Sequence, residues 1–564
     1  MTILRFLPLA GLPLLISSPL RAGSLSALSN YSAVSAEIIS LDPGTGFLLA
    51  TAETGVEIVN ISDPAAPVQQ ALINFEGVFA SPQSVANVSS VAADPLGRGF
   101  AAAALIGSDD TGAPGKVVVF NTSTGAVMNS FDVGFHPDCV AFSDDGAYVM
   151  VANEGEWNTT ANTPGSVSVI SIGADTALDA VALLSASASA TYDFSAGNLA
   201  EGVSLEGLRV SDPAEGLPNG LEPEYVSYAD GRVYCSIQES SAIGVLDIAS
   251  GKWVDIIRMP YVMQRIDASD KDGGAHIDDT VIYGMPMPDT IKAFMHEGTT
   301  YVVTANEGDF NPNDTDKARI KDLGKDGLPA IDAAYLAELN ALYDGDALAD
   351  DALGRLNISI IDGLNANGEF EQFYVPGTRS FSVIDCSTGQ VVWDSGSALE
   401  ELTAELDPAG YQDGRSDDKG PEPEGLCVFE MHKERFLALV TERTYALFLY
   451  NISDPLHPVF ADYFRASDTD EEPESVLFLS PDVEHGISPK LIVSYEASKT
   501  VNILGMNTWA GFPRDPAEQY VNTYGWMGWM YVDGNWAYNW NIDTWFYMPS
   551  SFFQNDGSWA YMLD

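Results

Sequence analysis

The sequence predicts an all-β chain: a seven-bladed β-propeller of four-stranded blades, followed by a small aromatic-rich β tail. Three observations carry this expectation. Short β-rich runs separated by Gly, Asp, Asn, Ser and Pro turns dominate the 564 residues. A strand–turn–strand pattern recurs along most of the chain. Residues 507–564 hold seven of the ten tryptophans.

One half of the repeat is a hairpin signature. Asn60-Ile61-Ser62-Asp63-Pro64 follows the apolar run Val56 to Val59, and Asn451-Ile452-Ser453-Asp454-Pro455 follows Leu447 to Tyr450. Looser copies start at Phe120, Leu246 and Ile384. The other half is a Pro–acid step followed by two apolar runs and a Glu. Pro137-Asp138 leads to Glu154, Pro223-Glu224 to Glu239, and Pro288-Asp289 to Glu307. Pro423-Glu424 leads to Glu442, and Pro473-Glu474 to Glu496. Together the halves make four antiparallel strands, and two divergent units fit residues 35–73 and 82–133. Four-stranded units repeated radially are a propeller pattern. The unit from Glu474 to Gly505 lacks a fourth strand, which Ser24 to Val34 can supply. Within a hairpin the start of the first strand and the end of the second share one end. Each Pro–acid step and its later Glu should therefore meet on one face.

Bulk composition narrows the function. Acidic residues number 80 against 26 basic, a net charge of -54, which repels nucleic acid and anionic membranes and suits divalent cations. The start reads as a secretory signal over 1–22: Arg5, an apolar run from Phe6 to Ile16, then Leu20-Arg21-Ala22. The expected organisation is that leader, a propeller over 24–506 and a tail module over 507–564, with no membrane span in the mature chain and a secreted or cell-surface location. Cys139, Cys235, Cys386 and Cys427 lie in or beside apolar runs. They read as buried free thiols or as a disulfide between neighbouring strands. The best helix pattern runs from Ile331 to Tyr343, with Ile331, Tyr335, Leu339 and Leu342 at helical spacing.

Several stretches then carry a resemblance. They include Leu221-Glu222-Pro223-Glu224-Tyr225, Asp267-Ala268-Ser269-Asp270-Lys271-Asp272, Ala305-Asn306-Glu307-Gly308-Asp309 and Leu353-Gly354-Arg355-Leu356. Arg379-Ser380-Phe381-Ser382, Asp394-Ser395-Gly396 and the run from Arg415 to Gly425 complete the set. Over about residues 30 to 506 the chain resembles the choice-of-anchor I family, exported bacterial β-propeller proteins with relatives among animal cell-surface glycoproteins. Members are often labelled alkaline-phosphatase-like or phytase-like, and the family name implies varying C-terminal anchoring signals. The run Phe310 to Arg319 departs from the family pattern after Asn-Glu-Gly-Asp.

Two chemistries fit the residues. Ca²⁺ takes six to eight oxygens, and clustered carboxylates supply them. The expected cation set at the channel mouth is Glu154, Glu224, Glu239, Glu307, Asp309, Glu424, Glu442, Glu474 and Glu496. Asp309-x-Asn311-x-Asn313 resembles the start of a calcium loop but has Asp314 where Gly is expected, and Asp267, Asp270 and Asp272 form a similar acidic turn. The alternative is a metal-dependent phosphoesterase. There Arg379, Arg415, Lys419 and Arg443 would hold the phosphoryl anion beside Glu424, making Arg415, Lys419, Glu424 and Arg443 the candidate catalytic residues. Ser380 and Ser395 have no accompanying base motif. The six histidines show no zinc-hydrolase spacing, and no Walker loop or dinucleotide turn occurs.

In the tail, Trp529/Tyr531, Trp536/Tyr538, Trp545/Tyr547 and Trp559/Tyr561 are spaced by two, which puts each pair on one face of a strand. That aromatic face is expected to meet a cell-envelope component or glycan. The sequence thus leads to an exported binding scaffold with divalent-cation sites at an acidic mouth, a phosphoester ligand belonging to the alternative.

Overall fold

A computed structural model describes residues 23–562, apart from 109–112, 156–162, 174, 176–183, 185–186, 212–215, 312–313, 344, 432, 482–487, 511, 515–516 and 548–560. The expected leader over 1–22 lies outside the described residues, as do Asn313, His432, His485 and Trp559.

The described residues form seven four-stranded sheets with antiparallel neighbours, built from 39–74, 85–132, 137–193, 223–258, 291–394, 423–465 and 473–506. The last of these takes its fourth strand from the beginning of the chain. Leu25–Ser32 pairs antiparallel with Thr500–Met506, and Asp462 of the sixth sheet accepts from the Ser24 and Leu25 N–H groups at 2.9 and 3.2 Å.

Alternation explains how these sheets pack. Phe100–Gly107 is buried throughout. Its Phe100, Ala102 and Ala104 join Val140, Val149 and Val151 of the third sheet. Its Ala101, Ala103 and Leu105 join Leu49, Val56 and Ile58 of the first. A period of two sends successive side chains to opposite neighbours. The same division gives a separate apolar core between every successive pair of sheets, and one between the seventh and the first, around Ile39, Leu48, Ile492 and Ile503. The first strands contact one another in sequence order, and Pro473–Leu479 returns to Ile39–Leu41. Burying each Val, Leu or Ile contributes about 1.5–3 kcal/mol, so two-faced burial is what makes each sheet stable.

One sheet is interrupted. Residues 307–379 are inserted between Thr299–Asn306 and Ser380–Asp385 of the fifth sheet. With 262–285 they form small sheets and a helix, α1 (Ala333–Leu342), around a core of Ile282, Ile320, Leu339, Leu356 and Phe373. The Asp332 carboxylate caps α1 by accepting from the Ala334 and Tyr335 N–H groups. Tyr335 and Leu339 face the core as expected, but Leu342 at the helix end is exposed. A second helix, α2 (Ala398–Leu406), precedes the run Asp417 to Gly425. Beyond residue 506, Tyr520–Asn522, Trp529–Asp533, Trp536–Asn539, Thr544–Tyr547 and Tyr561–Met562 form a five-stranded sheet in chain order. No helix among the described residues is long and apolar enough to cross a membrane.

Candidate functional site

The Pro–acid steps stand where the hairpins predict. Pro137 pairs with Asn153, Pro423 with Thr441, and Pro473 with Tyr495, so Glu154, Glu442 and Glu496 each follow the partner of a proline. In these three hairpins and in Pro223–Ile237, a bulge lies directly after the Pro–acid step, which re-aims the acid. The residues before four of the prolines, His136, Met287, Glu422 and Glu472, all have positive φ. In the fourth sheet the register departs from expectation. Pro223 pairs with Ile237, which puts Gln238 rather than Glu239 at the matching position. Glu239 lies one residue further, in a short 3-10 turn, and Gln238 donates to Glu307 at 2.9 Å.

Deep in this end of the molecule, acids from six sheets act on one another. Burial raises the Glu424 carboxyl well above its ordinary range, and Glu307, Asp289, Glu474 and Glu442 raise it further. Glu224 is raised by burial and then by Glu154, Asp138 and Glu239. Glu474 is raised by burial and then by Asp289, Glu37 and Glu496. Glu37 is pushed up to about 8 by burial and by Glu496 and Asp138. Glu424 is 8% exposed, and its Oε2 has no hydrogen-bond partner. Glu37 was missed in the sequence because no Pro–acid step marks it. Its one signal was an acid just before the apolar strand starting at Ile39.

The mouth above these acids is organised differently. Glu307, Glu422 and Glu442 bring carboxylate oxygens within 4.8 Å of one another. Three cations answer them. Lys419 Nζ lies 2.6 Å from Glu307, 3.0 Å from Glu422 and 3.6 Å from Asp309. Arg415 reaches Glu422 at 2.5 Å, and Arg443 reaches Glu422 at 3.4 Å and Glu442 at 2.9 Å. Burial works to raise the fully enclosed Glu422, yet Lys419, Arg415 and Arg443 overcome it and hold the carboxyl near about 2. Glu442 is pushed up to about 8 by burial, then by Glu422 and Glu307. Glu422 is therefore the hub of the mouth, a residue whose sequence context singled out its neighbour Glu424 instead.

Arg379 is not at the mouth. It is 1% exposed, with Nη1 donating to Glu400 and to the Asp267 carbonyl at 2.7 Å, and Nη2 donating to the Ser416 and Asp418 carbonyls at 2.9 Å. It ties α2, the insert and the run Asp417 to Gly425 together. Ser380 donates to Asp394 at 3.0 Å, and the Ser395 hydroxyl accepts from the Phe381 N–H at 3.0 Å, both within the fifth sheet.

A second acidic group lies against this buried arginine. Asp267, Asp272 and Asp413 place oxygens within 4.8 Å of one another. Asp267 accepts from Tyr411 and Ser416 at 2.9 and 3.0 Å, whereas one buried oxygen each of Asp272 and Asp413 has no hydrogen-bond partner. Burial and then Asp267 push Asp272 up to about 6. Asp270 turns away to pair with Arg355 and Lys271. Asn311 closes a local turn, holding Thr315 through its side chain while its N–H donates to Asp316. All four cysteines are free thiols, Cys139 and Cys235 buried and each pushed up to about 12 by burial.

The family profile of the Choice-of-anchor I domain matches residues 37–455. The chain belongs to this family. The match spans the first six sheets up to the turn after Ala446–Asn451 and takes in the mouth cations and Glu422. Among curated proteins, Gigasin-3a of Magallana gigas is 27% identical over 183 residues, 27% of this chain and 64% of the relative. Mesenchyme-specific cell surface glycoprotein of Strongylocentrotus purpuratus is 26% identical over 245 residues, 36% of this chain and 30% of the relative. The chain thus spans less than two thirds of each relative's length. Among solved structures, the β-propeller domain of Cps50 (Swd1) from Myceliophteria thermophila matches at 8% identity and a TM-score of 0.40, covering 85% of this chain and 99% of that one. A mitotic checkpoint complex chain matches at the same identity and TM-score, covering 90% of this chain and 99% of that one.

Proposed function

We propose that this Choice-of-anchor I protein is an exported seven-bladed β-propeller that serves as a binding scaffold and holds a divalent cation, Ca²⁺ by its donor set, at its acidic end. The blade number is supported by the closed order of sheet cores, the seventh against the first. Export is supported by family membership and by the cell-surface relative.

One observation carries the cation. The largest charges acting on the Glu424 carboxyl are those of Glu307, Asp289, Glu474 and Glu442, all acids, and its buried Oε2 lacks a partner. Such a group needs protons or a cation. The Asp267, Asp272 and Asp413 group offers a separate oxygen-only set whose atoms lie within 4.8 Å of one another. The mouth trio of Glu307, Glu422 and Glu442 is a poorer candidate, because the Lys419 ammonium already stands where an ion would sit.

The same ion pairs weigh against phosphoester hydrolysis. Arg415, Lys419 and Arg443 all hold Glu422, so a phosphoryl group would have to displace a buried carboxylate. Chelator-stripped full-length protein should bind Ca²⁺ saturably by calorimetry, and Glu424→Gln should weaken binding at least tenfold. No binding would end the cation part. Metal-loaded protein should leave phosphomonoesters, diesters and phytate intact, and turnover abolished by Arg415→Ala would overturn the scaffold reading.

A further inference from the structure

The tail sheet has two contrasting faces. Val521, Met530, Val532, Ala537 and Phe546 point to one side and form a buried core with Trp509 and Phe512. The opposite side carries rings at the strand positions between them. Tyr520 stands opposite Tyr531, Tyr531 opposite Tyr538, and Tyr538 opposite Trp545. Four rings from four adjacent strands thus form one cross-strand row. A second row pairs Trp536 with Tyr547, their centroids 4.8 Å apart. Trp540 stacks beside Tyr520 at 5.9 Å.

These rings are not needed for the core; Tyr520 and the tryptophans are open, whereas Tyr531, Tyr538 and Tyr547 are half-buried. Trp529 is 61% exposed, Trp540 50% and Tyr520 48%. Isolated exposed aromatics need no explanation, but a contiguous aromatic face does.

We propose that this face is a platform for a neutral polysaccharide, independent of the cation reading. Its charge selects against other occupants. Arg514 is the only basic residue in 507–564, and it is spent on the Glu518 carbonyl. Nucleic acid, acidic polysaccharide and anionic lipid therefore find no counter-charge, on a chain already at -54. The strand positions of the face carry Tyr and Trp without aliphatic residues. Such rings offer flat apolar area to the C–H faces of sugar rings and keep O–H and N–H groups at their edges. Asp543, bonded to the Tyr538 hydroxyl, and Asp533, opposite Trp536, add acceptors for sugar hydroxyls.

The test uses the full chain in chelator, so that a failure of the cation site does not bear on it. Protein is pelleted with insoluble cellulose, chitin and mannan, and in parallel with covalently cross-linked alginate beads and anionic phosphatidylserine vesicles. Retention on a neutral polysaccharide is expected, reduced at least tenfold in Trp529→Ala/Trp545→Ala with an unchanged melting temperature. If that variant does not fold, wild-type tryptophan fluorescence should become protected from acrylamide on adding the retained glycan. No retention on any neutral polysaccharide would overturn the proposal. So would equal retention of a folded variant, binding to alginate or vesicles alone, or concentration-dependent self-association as the sole activity.

Discussion

The Lys419 ammonium and the Glu307 carboxylate meet at 2.6 Å across two sheets, one from the loop entering the sixth and one from the strand end of the fifth. Lys419 also contacts Glu422 and Asp309. Burial alone would lower the lysine, but Glu307 and Glu422 raise it well above its usual value. Lys419→Met should leave three converging carboxylates short of a cation and cost about 3–5 kcal/mol at pH 7. Urea unfolding would measure this. The loss should grow toward pH 9, where Glu442, pushed up to about 8, ionises, and shrink on adding Ca²⁺. An unchanged midpoint would mean that Arg415 and Arg443 suffice.

Stability should fall as pH rises from about 5 to 8.5 in chelator. Glu37 and Glu442 are each pushed up to about 8 from an ordinary 4.5. A carboxyl with a raised folded pKa contributes stability that is present below the unfolded value and lost as pH climbs through the folded one. Glu422, held near about 2, has the opposite sign. Its contribution is present above about 4.5 and lost as pH falls through about 2. Scanning calorimetry should therefore find a maximum on the acid side of neutrality. Glu37→Gln should flatten the alkaline limb.

Arg379→Ala should be among the most damaging single substitutions. It removes a buried partner of Glu400 and strands the carbonyls of Asp267, Ser416 and Asp418, at about 3–5 kcal/mol. Arg379→Lys should recover little of this, because one ammonium cannot reproduce the planar fork. Denaturant midpoints of both variants would decide it.

Removing residues 24–32 should expose Thr500–Met506 as an open edge. The strand Leu25–Ser32 contributes a full ladder there, and unpaired edges template association. Lower melting temperature and growth of oligomers by light scattering are expected. A synthetic peptide of 24–32 should reverse both.

Much of this molecule was legible from local pattern. Turn chemistry and alternation marked the units at 35–73 and 82–133, which became sheets over 39–74 and 85–132. The Pro–acid steps marked the end where the acids gather. The helix expected from Ile331 to Tyr343 became Ala333–Leu342 under an Asp332 cap, because capping and periodicity act within a few residues.

Only the packing of one sheet against another decided the site. Glu37 joined it through acids of the third and seventh sheets. Gln238 took the position expected of Glu239, because Pro223 pairs with Ile237 and the residue that follows the partner is set by that pairing register. Glu422 became the hub, since its three cations come from either side of a buried turn. Arg379 went inward for the same reason: its partners lie 21 to 112 residues away. Strands and turns are written in neighbouring residues, so the sequence determined the repeat and the aromatic tail. Charge compensation depends on which side chains from different sheets come within a few ångströms, and that was decided by the tertiary structure alone.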